Sequence, residues 1–214
     1  MKRNSLLLTA LLGLCMLAAG CTRCPIANID SKGTQIICFG DSITFGYGAL
    51  PGEDYPAVLT ELVEYPVINA GIDGDTTVEG VKRFKSDVLD RDPLLVIIEF
   101  GGNDFLRKIP KQTTLANLED MIDKSLARGS MVAIVDISAG PLLKEYRFAY
   151  RRMAKEKGAI FIPSVLSRIV TNPELKSDFM HPNAGGYKMI AQRIYHFITP
   201  HLNQNKINRE LPKK

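Results

Sequence analysis

Apolar and polar positions fall into alternating blocks along most of the chain. Five short runs dominated by Ile, Val, Leu and Phe occupy residues 34–39, 66–70, 94–100, 131–137 and 159–162. Continuous runs of that length read as strands of a parallel sheet buried on both faces. The stretches between them carry helical periodicity. Leu115, Leu118, Ile122 and Leu126 recur at spacings of three and four before Gly129, and Leu143, Tyr146, Tyr150 and Met153 do the same before Gly158. Thr76-Thr77-Val78-Glu79 has the capping-box pattern and opens a helix soon after the second strand. A last helix presents the stripe Tyr187, Ile190, Ile194 and Phe197. Strand and helix in alternation predict one α/β domain whose parallel strands are joined by crossover helices. Residues 203–214 are polar, with four basic side chains and no apolar period, and read as a frayed tail.

The length of 214 residues suits a single domain that buries its core without disulfides. Charge adds little. The formal +4 drops to +2 without Lys2 and Arg3, and the remaining Lys and Arg are scattered rather than striped, so no nucleic-acid partner is expected.

The N-terminus changes the picture. Met1-Lys2-Arg3-Asn4 precedes an apolar run over residues 6–19 that is too short to span a bilayer and ends in small residues, as a secretory signal does. Leu17-Ala18-Ala19-Gly20-Cys21 resembles a bacterial lipobox, with Ala18 where leucine is more usual; the alternative is an ordinary signal peptide followed by a chance cysteine. The lipobox reading makes 1–20 a lipoprotein signal peptide, Cys21 the lipidated first residue, 21–33 a tether, 34–202 the folded domain and 203–214 a flexible tail. It places the protein in the bacterial envelope, exported and lipid-anchored on a periplasmic or extracellular membrane face. Cys15 leaves with the leader, Cys38 sits in the first strand as a small hydrophobe, and Cys24 has no assigned role. Cys21-Thr22-Arg23-Cys24 is a CxxC pair, but its first cysteine is assigned to lipid and no second pair or Cys/His cluster with zinc spacing accompanies it, so neither metal nor cofactor is expected.

Candidate chemistry lies just past the strands. The first strand runs through Ile36-Ile37-Cys38-Phe39 into Gly40-Asp41-Ser42, which puts a serine at its carboxyl end. In open α/β sheets ligands bind at that end, in the crevice where strand order reverses. Asp or Ser at such a place also serves as the cap of the following helix, and these residues alone leave both readings open. Gly74, before the capping box, is either a plain turn residue or a free backbone amide that approaches a ligand. Asn103, in Glu99-Phe100-Gly101-Gly102-Asn103-Asp104, is either a turn residue or a side-chain donor brought to the crevice. Asp178 and His181 are three apart, a spacing that lets a carboxylate hold an imidazole ring. A serine hydroxyl becomes a good nucleophile only when such an imidazole takes its proton. His196 and His201 read as surface residues.

Gly40-Asp41-Ser42, Gly74, Gly101-Gly102-Asn103-Asp104 and Asp178-x-x-His181 together resemble the SGNH hydrolases, also called GDSL esterases. They look most like the branch described as thioesterase I, arylesterase or lysophospholipase. The likeness covers residues 34–202. It implies a flavodoxin-like, three-layer α/β/α sandwich with a five-stranded parallel sheet. It further implies Ser42 as nucleophile, His181 as base, Asp178 as its orienter, and an oxyanion hole from the Ser42 and Gly74 amides and the Asn103 side chain. Gly71 replaces a serine of that branch, and Phe105 replaces a glycine at the start of a loop, Phe105, Leu106, Arg107, Lys108 and Ile109, that borders the acyl side. Phe105, Leu106 and Ile109 are its expected substrate contacts. The expected activity is hydrolysis of carboxylic esters, with lipid-derived esters such as lysophospholipids foremost. Alternatives are an O-acetylesterase of cell-wall or extracellular carbohydrate and a lipoprotein that binds a ligand without turnover.

Overall fold

The computed structural model describes residues 25–138 and 143–211; the signal segment, Cys21 and Cys24 lie outside these. Five strands, β1 (Gln35–Gly40), β2 (Val67–Gly71), β3 (Pro93–Glu99), β4 (Met131–Val135) and β5 (Ile160–Ile162), form one sheet in the order β2-β1-β3-β4-β5. Every pairing is parallel. The runs read from the sequence are these strands, displaced by no more than two residues. Every residue of β3, at the sheet's centre, is buried, which is why it shows no polar alternation.

Each face of the sheet carries its own helices. α2 (Tyr55–Thr60) and the long α7 (Ala184–Glu210) cover the face made by Ile36, Cys38, Leu95 and Ile97. α3 (Thr77–Asp87), α5 (Lys111–Ala127) and α6 (Lys144–Lys157) cover Ile37, Phe39, Val96 and Ile98. The predicted capping box is formed: Thr76 Oγ1 accepts the Val78 N–H at 3.2 Å, and Glu79 takes the Thr76 N–H at 3.0 Å. Two single-turn helices, α1 (Ser42–Phe45) and α4 (Gly102–Leu106), follow β1 and β3. The chain is a three-layer α/β/α sandwich, and order reverses between β1 and β3, where the crevice opens.

Two boundaries differ from the sequence reading. The expected tail is helical as far as Glu210, because the buried row Ile194, Ile198, Leu202 continues to Asn205, whose amide is wholly buried. A polar residue in that row hid the period. The second half of the expected tether is also packed: Ile26 and Ile29 lie against the core, the Ala27 N–H donates to Gly158 O at 2.8 Å, and Asn28 Nδ2 donates to Leu126 O and Ser130 O. Asn205 Nδ2 joins the two segments by donating to Ile29 O and Ser31 O, each at 3.0 Å. Losing that donor leaves two carbonyls unpaired in a buried place, at about 1–3 kcal/mol. Asn205→Ala is therefore expected to lower the free energy of unfolding in urea by that amount. An unchanged midpoint would mean that the amide does not hold the N-terminal segment.

Candidate active site

β1 stops at Gly40, and the Asp41 carboxylate caps α1 by accepting the Ile43 N–H at 3.1 Å. Capping by Asp41 and exposure of Ser42 to the crevice are one arrangement, since Ser42 becomes the first helical residue and its N–H has no acceptor within the helix. Ser42 Oγ lies 3.1 Å from His181 Nε2.

The imidazole comes from the loop ahead of α7. Lys176 and Pro182 form an antiparallel bridge that pinches this loop, and Ser177 N–H donates to His181 O at 3.0 Å. Inside it, Asp178 Oδ1 accepts the Met180 and His181 N–H groups, while Asp178 Oδ2 lies 2.7 Å from His181 Nδ1. The His181 backbone N–H, followed by its ring, holds the Asp178 carboxyl at about 2, so it stays ionised well into acid. Tyr47 lies against the His181 ring, centroids 4.5 Å apart, and Tyr187 donates its hydroxyl to Tyr47 O. Sequence reasoning passed over Tyr47, which no spacing rule marks.

Asn103 Nδ2 donates to Asp75 O at 2.9 Å and reaches Asp41 Oδ2 at 3.4 Å, so the loops after β1, β2 and β3 meet. Gly74 adopts φ +78°, a left-handed conformation that favours glycine. Its carbonyl accepts from Arg107 Nη2 at 2.7 Å. Ser42, Asn103, His181, Phe105 and Leu106 line a common cleft of about 360 Å³, whose remaining wall is mostly apolar, with Ile137, Leu166, Val170 and Met180, apart from Asp41 and Glu99 at its floor. Gly74 and Ile109 are not among its lining residues. Arg107 thus ties the loop after Asn103 to the Gly74 loop. Among the described residues no group of His, Cys, Asp or Glu is placed to hold a metal.

Beneath the serine lies a feature that the sequence reading missed. Glu99, 1% exposed, and Asp41, 3% exposed, are neighbouring buried carboxyls. Thr44 Oγ1 donates to Glu99 Oε2 at 2.8 Å, and Glu99 Oε1 is buried without a partner. Burial, and then the charge of Asp41, pushes the Glu99 carboxyl far above the usual range. Burial likewise raises Asp41, to about 6. The available signal was a glutamate ending an otherwise apolar strand, because an acidic side chain is almost never fully buried without a partner.

Residues 38–189 match the GDSL-like lipase/acylhydrolase family. The chain belongs to that family. It is 30% identical over 179 residues to an arylesterase of Vibrio mimicus, covering 78% of this chain and 90% of the relative. It is 26% identical over 178 residues to thioesterase 1/protease 1/lysophospholipase L1 of Escherichia coli K12, covering 79% and 86%. An uncharacterized lipoprotein of Bacillus subtilis, YqeF, is 32% identical over 118 residues, 48% of each chain. The crystal structure of TesA superposes with a TM-score of 0.73 at 26% identity, covering 78% of this chain and 99% of that one. The protein is thus an ester hydrolase of the SGNH (GDSL) type.

The paired carboxyls give this GDSL hydrolase a measurable pH signature. In the unfolded chain both carboxyls ionise near pH ~4. In the folded protein they hold protons to higher pH, so between about 4 and 6 the native state binds more protons and stability falls as pH rises. Glu99→Gln removes one of the two groups and should flatten that slope. Thermal melts from pH 4 to 7 check this: parallel curves for the two proteins would show that the pair does not titrate in that range.

Proposed function

We propose that this GDSL hydrolase cleaves carboxylic esters through an acyl-enzyme on Ser42, with His181 as base and Asp178 as its orienter. The observation that carries the reading is the run of contacts Ser42 Oγ to His181 Nε2, 3.1 Å, and His181 Nδ1 to Asp178 Oδ2, 2.7 Å, opening on an apolar cleft. Ser42 Oγ attacks the ester carbonyl while its proton passes to Nε2, and Asp178 steadies the imidazolium. Collapse of the tetrahedral intermediate expels the alcohol, which takes that proton. Water, deprotonated by the same nitrogen, then releases the acid and frees Ser42. The Ser42 amide and Asn103 Nδ2, on residues that line the cleft, are the proposed oxyanion donors, and the Gly74 loop, joined to Asn103 through Asp75 O, is proposed to add the Gly74 amide; preorganised donors are worth most where water is excluded.

The substrate class follows from the cleft. Phe105, Leu106, Ile137, Leu166 and Val170 offer a wall to an acyl chain, and each methylene buried there contributes up to ~0.8 kcal/mol. We therefore favour esters of medium-chain acids, of the lysophospholipase and arylesterase type, over acetyl esters. The protein is further proposed to be exported and held to a membrane by lipid on Cys21. That reading rests on the basic start, the short apolar run and the lipobox-like ending, and on likeness to a chain named a lipoprotein. Among the described residues no helix is long and apolar enough to cross a membrane.

Ser42→Ala is expected to lower kcat/KM on nitrophenyl esters by roughly a thousandfold or more, and a fluorophosphonate should label Ser42 alone. Labelling of Ser138 or Ser164 would sink the assignment. Phe105→Ala should leave acetyl ester hydrolysis within about twofold while reducing the preference for octanoyl esters by ~1–2 kcal/mol in kcat/KM. A wild-type preference for acetyl over octanoyl esters would overturn the medium-chain reading and point to a carbohydrate O-acetylesterase.

A further inference from the structure

The N-terminal segment crosses the end of the molecule opposite the cleft. Ala27 bonds to Gly158 O just before β5, Asn28 bonds to Leu126 O and Ser130 O just before β4, and Thr34 N–H donates to Asp92 O just before β3. All three places lie at the amino ends of strands. Ser42, Asn103 and His181 sit at the carboxyl ends, and α7 connects the two levels. It starts two residues after Pro182, beside the His181 loop, and its Asn205 grips Ile29 and Ser31. From Ala184 to Asn205 a helix rises about 30 Å at ~1.5 Å per residue.

The chain left between the anchor and this strap is short. Four steps separate Cys21 from Pro25, and at ~3.6 Å each they reach about 14 Å when fully extended. If the cleft faced the bilayer, Pro25 would stand about 30 Å from it, beyond that reach. Peeling residues 25–33 away would lengthen the tether, but Asn205, Asn28, the Ala27 N–H and Arg209, whose Nη1 donates to Gly33 O at 3.3 Å, hold them, and Ile26 and Ile29 are packed on the core.

We infer that the anchored enzyme turns its cleft away from the bilayer that holds it, and that its substrates are single-chain amphiphilic esters arriving as monomers through the aqueous compartment. The inference rests on the proposed lipid at Cys21 and narrows the ester class proposed for the site. Phe179, 88% exposed, with Phe105 and Leu106 forms an apolar rim at the cleft, and in the inferred orientation it receives one acyl chain leaving solution. A cleft of this size suits one chain rather than two. Lipid esters embedded in the host bilayer are on the wrong side of the protein.

The test compares three forms of the exported chain on phosphatidylcholine vesicles: the lipoprotein, the unanchored Cys21→Ser protein, and the lipoprotein with a 20-residue Gly/Ser insert between Cys24 and Pro25. The insert adds about 25 Å of average reach (~5–6 Å × √n) and far more when extended. Nitrophenyl octanoate is the soluble substrate, and the bilayer-held one is a long-chain lysophosphatidylcholine that Cys21→Ser hydrolyses from solution. All three forms should cleave the octanoate within about twofold of one another. On the bilayer-held ester, the lipoprotein should be no faster than Cys21→Ser despite its tethering, and the insert should speed it about tenfold. A lipoprotein at least tenfold faster than Cys21→Ser, and unaffected by the insert, would overturn the inference. A chain found without lipid would defeat the anchoring proposal instead. The geometry can then be tested separately by coupling a maleimide lipid to Cys21 in a Cys24→Ser background, because Cys38 is buried and unreactive.

Discussion

The site depends on how closely the backbone can pass at Gly40. Any side chain there would overlap Thr44 Oγ1, the Glu99 carbonyl and the Glu99 carboxyl, so only glycine lets β1 end against β3 and turn at once into α1. Its carbonyl is also shared: the Ile72 N–H donates to it at 3.1 Å and Arg83 Nη2 at 3.0 Å. Arg83 in turn binds Ala70 O and Asp75. One guanidinium therefore ties the carboxyl ends of β1 and β2 together, and Asp75 O receives the Asn103 side chain from the end of β3. Ser42, Gly74 and Asn103, each just past the end of a different strand, are held by this junction.

The same closeness creates an electrostatic cost. Bringing β1 and β3 together buries Asp41 against Glu99, and two charged carboxylates in so dry a place repel strongly. Retaining a proton on Glu99 relieves that repulsion and leaves Asp41 free to accept from Ile43 N–H and to lie beside Asn103. Asp178 meets the opposite conditions. It is exposed, bonded by two backbone amides, and held ionised beside the His181 imidazole. Two aspartates near one serine thus differ in charge preference because one is buried beside an acid and the other is solvated beside a base.

These conditions also explain what could be read from the sequence. The strands were legible because burial on both faces removes polar residues from Ile36 to Phe39 and from Leu94 to Ile98, and Ser42 and Asn103 because each follows such a run within a few residues. Asp178 and His181 were legible because their partnership is local. Glu99 and Tyr47 were not: each matters through contacts between segments far apart in sequence, Glu99 with Asp41 and Thr44, Tyr47 with His181 and Tyr187. Ile137, Leu166 and Val170 were hidden for the same reason, since an apolar residue on a loop looks like core until the cleft is seen. The end of α7 was misread because Asn205, a polar residue, occupies a core position to bond the N-terminal segment.

That last misreading bears on how the molecule is built. α7 has work at both ends: Asn183 caps its start, accepting the Gly186 N–H at 3.2 Å beside the loop that carries His181, and Asn205 near its other end clasps the strap. A helix ending at Leu202 would position the imidazole equally well, so the His181 loop does not explain the extra turns. Fixing residues 25–33 does. On the proposed anchoring at Cys21, a long, loose leash would let the cleft lie against any nearby surface, whereas a docked one, with few residues between Cys21 and Pro25, would set which end of the sheet faces the anchor. The polar residues that spoil the amphipathic pattern of the last turns, Asn205 and Arg209, are thus the ones that fasten the N-terminal segment to the end of the sheet, and under that proposal they would turn a tether into an orientation.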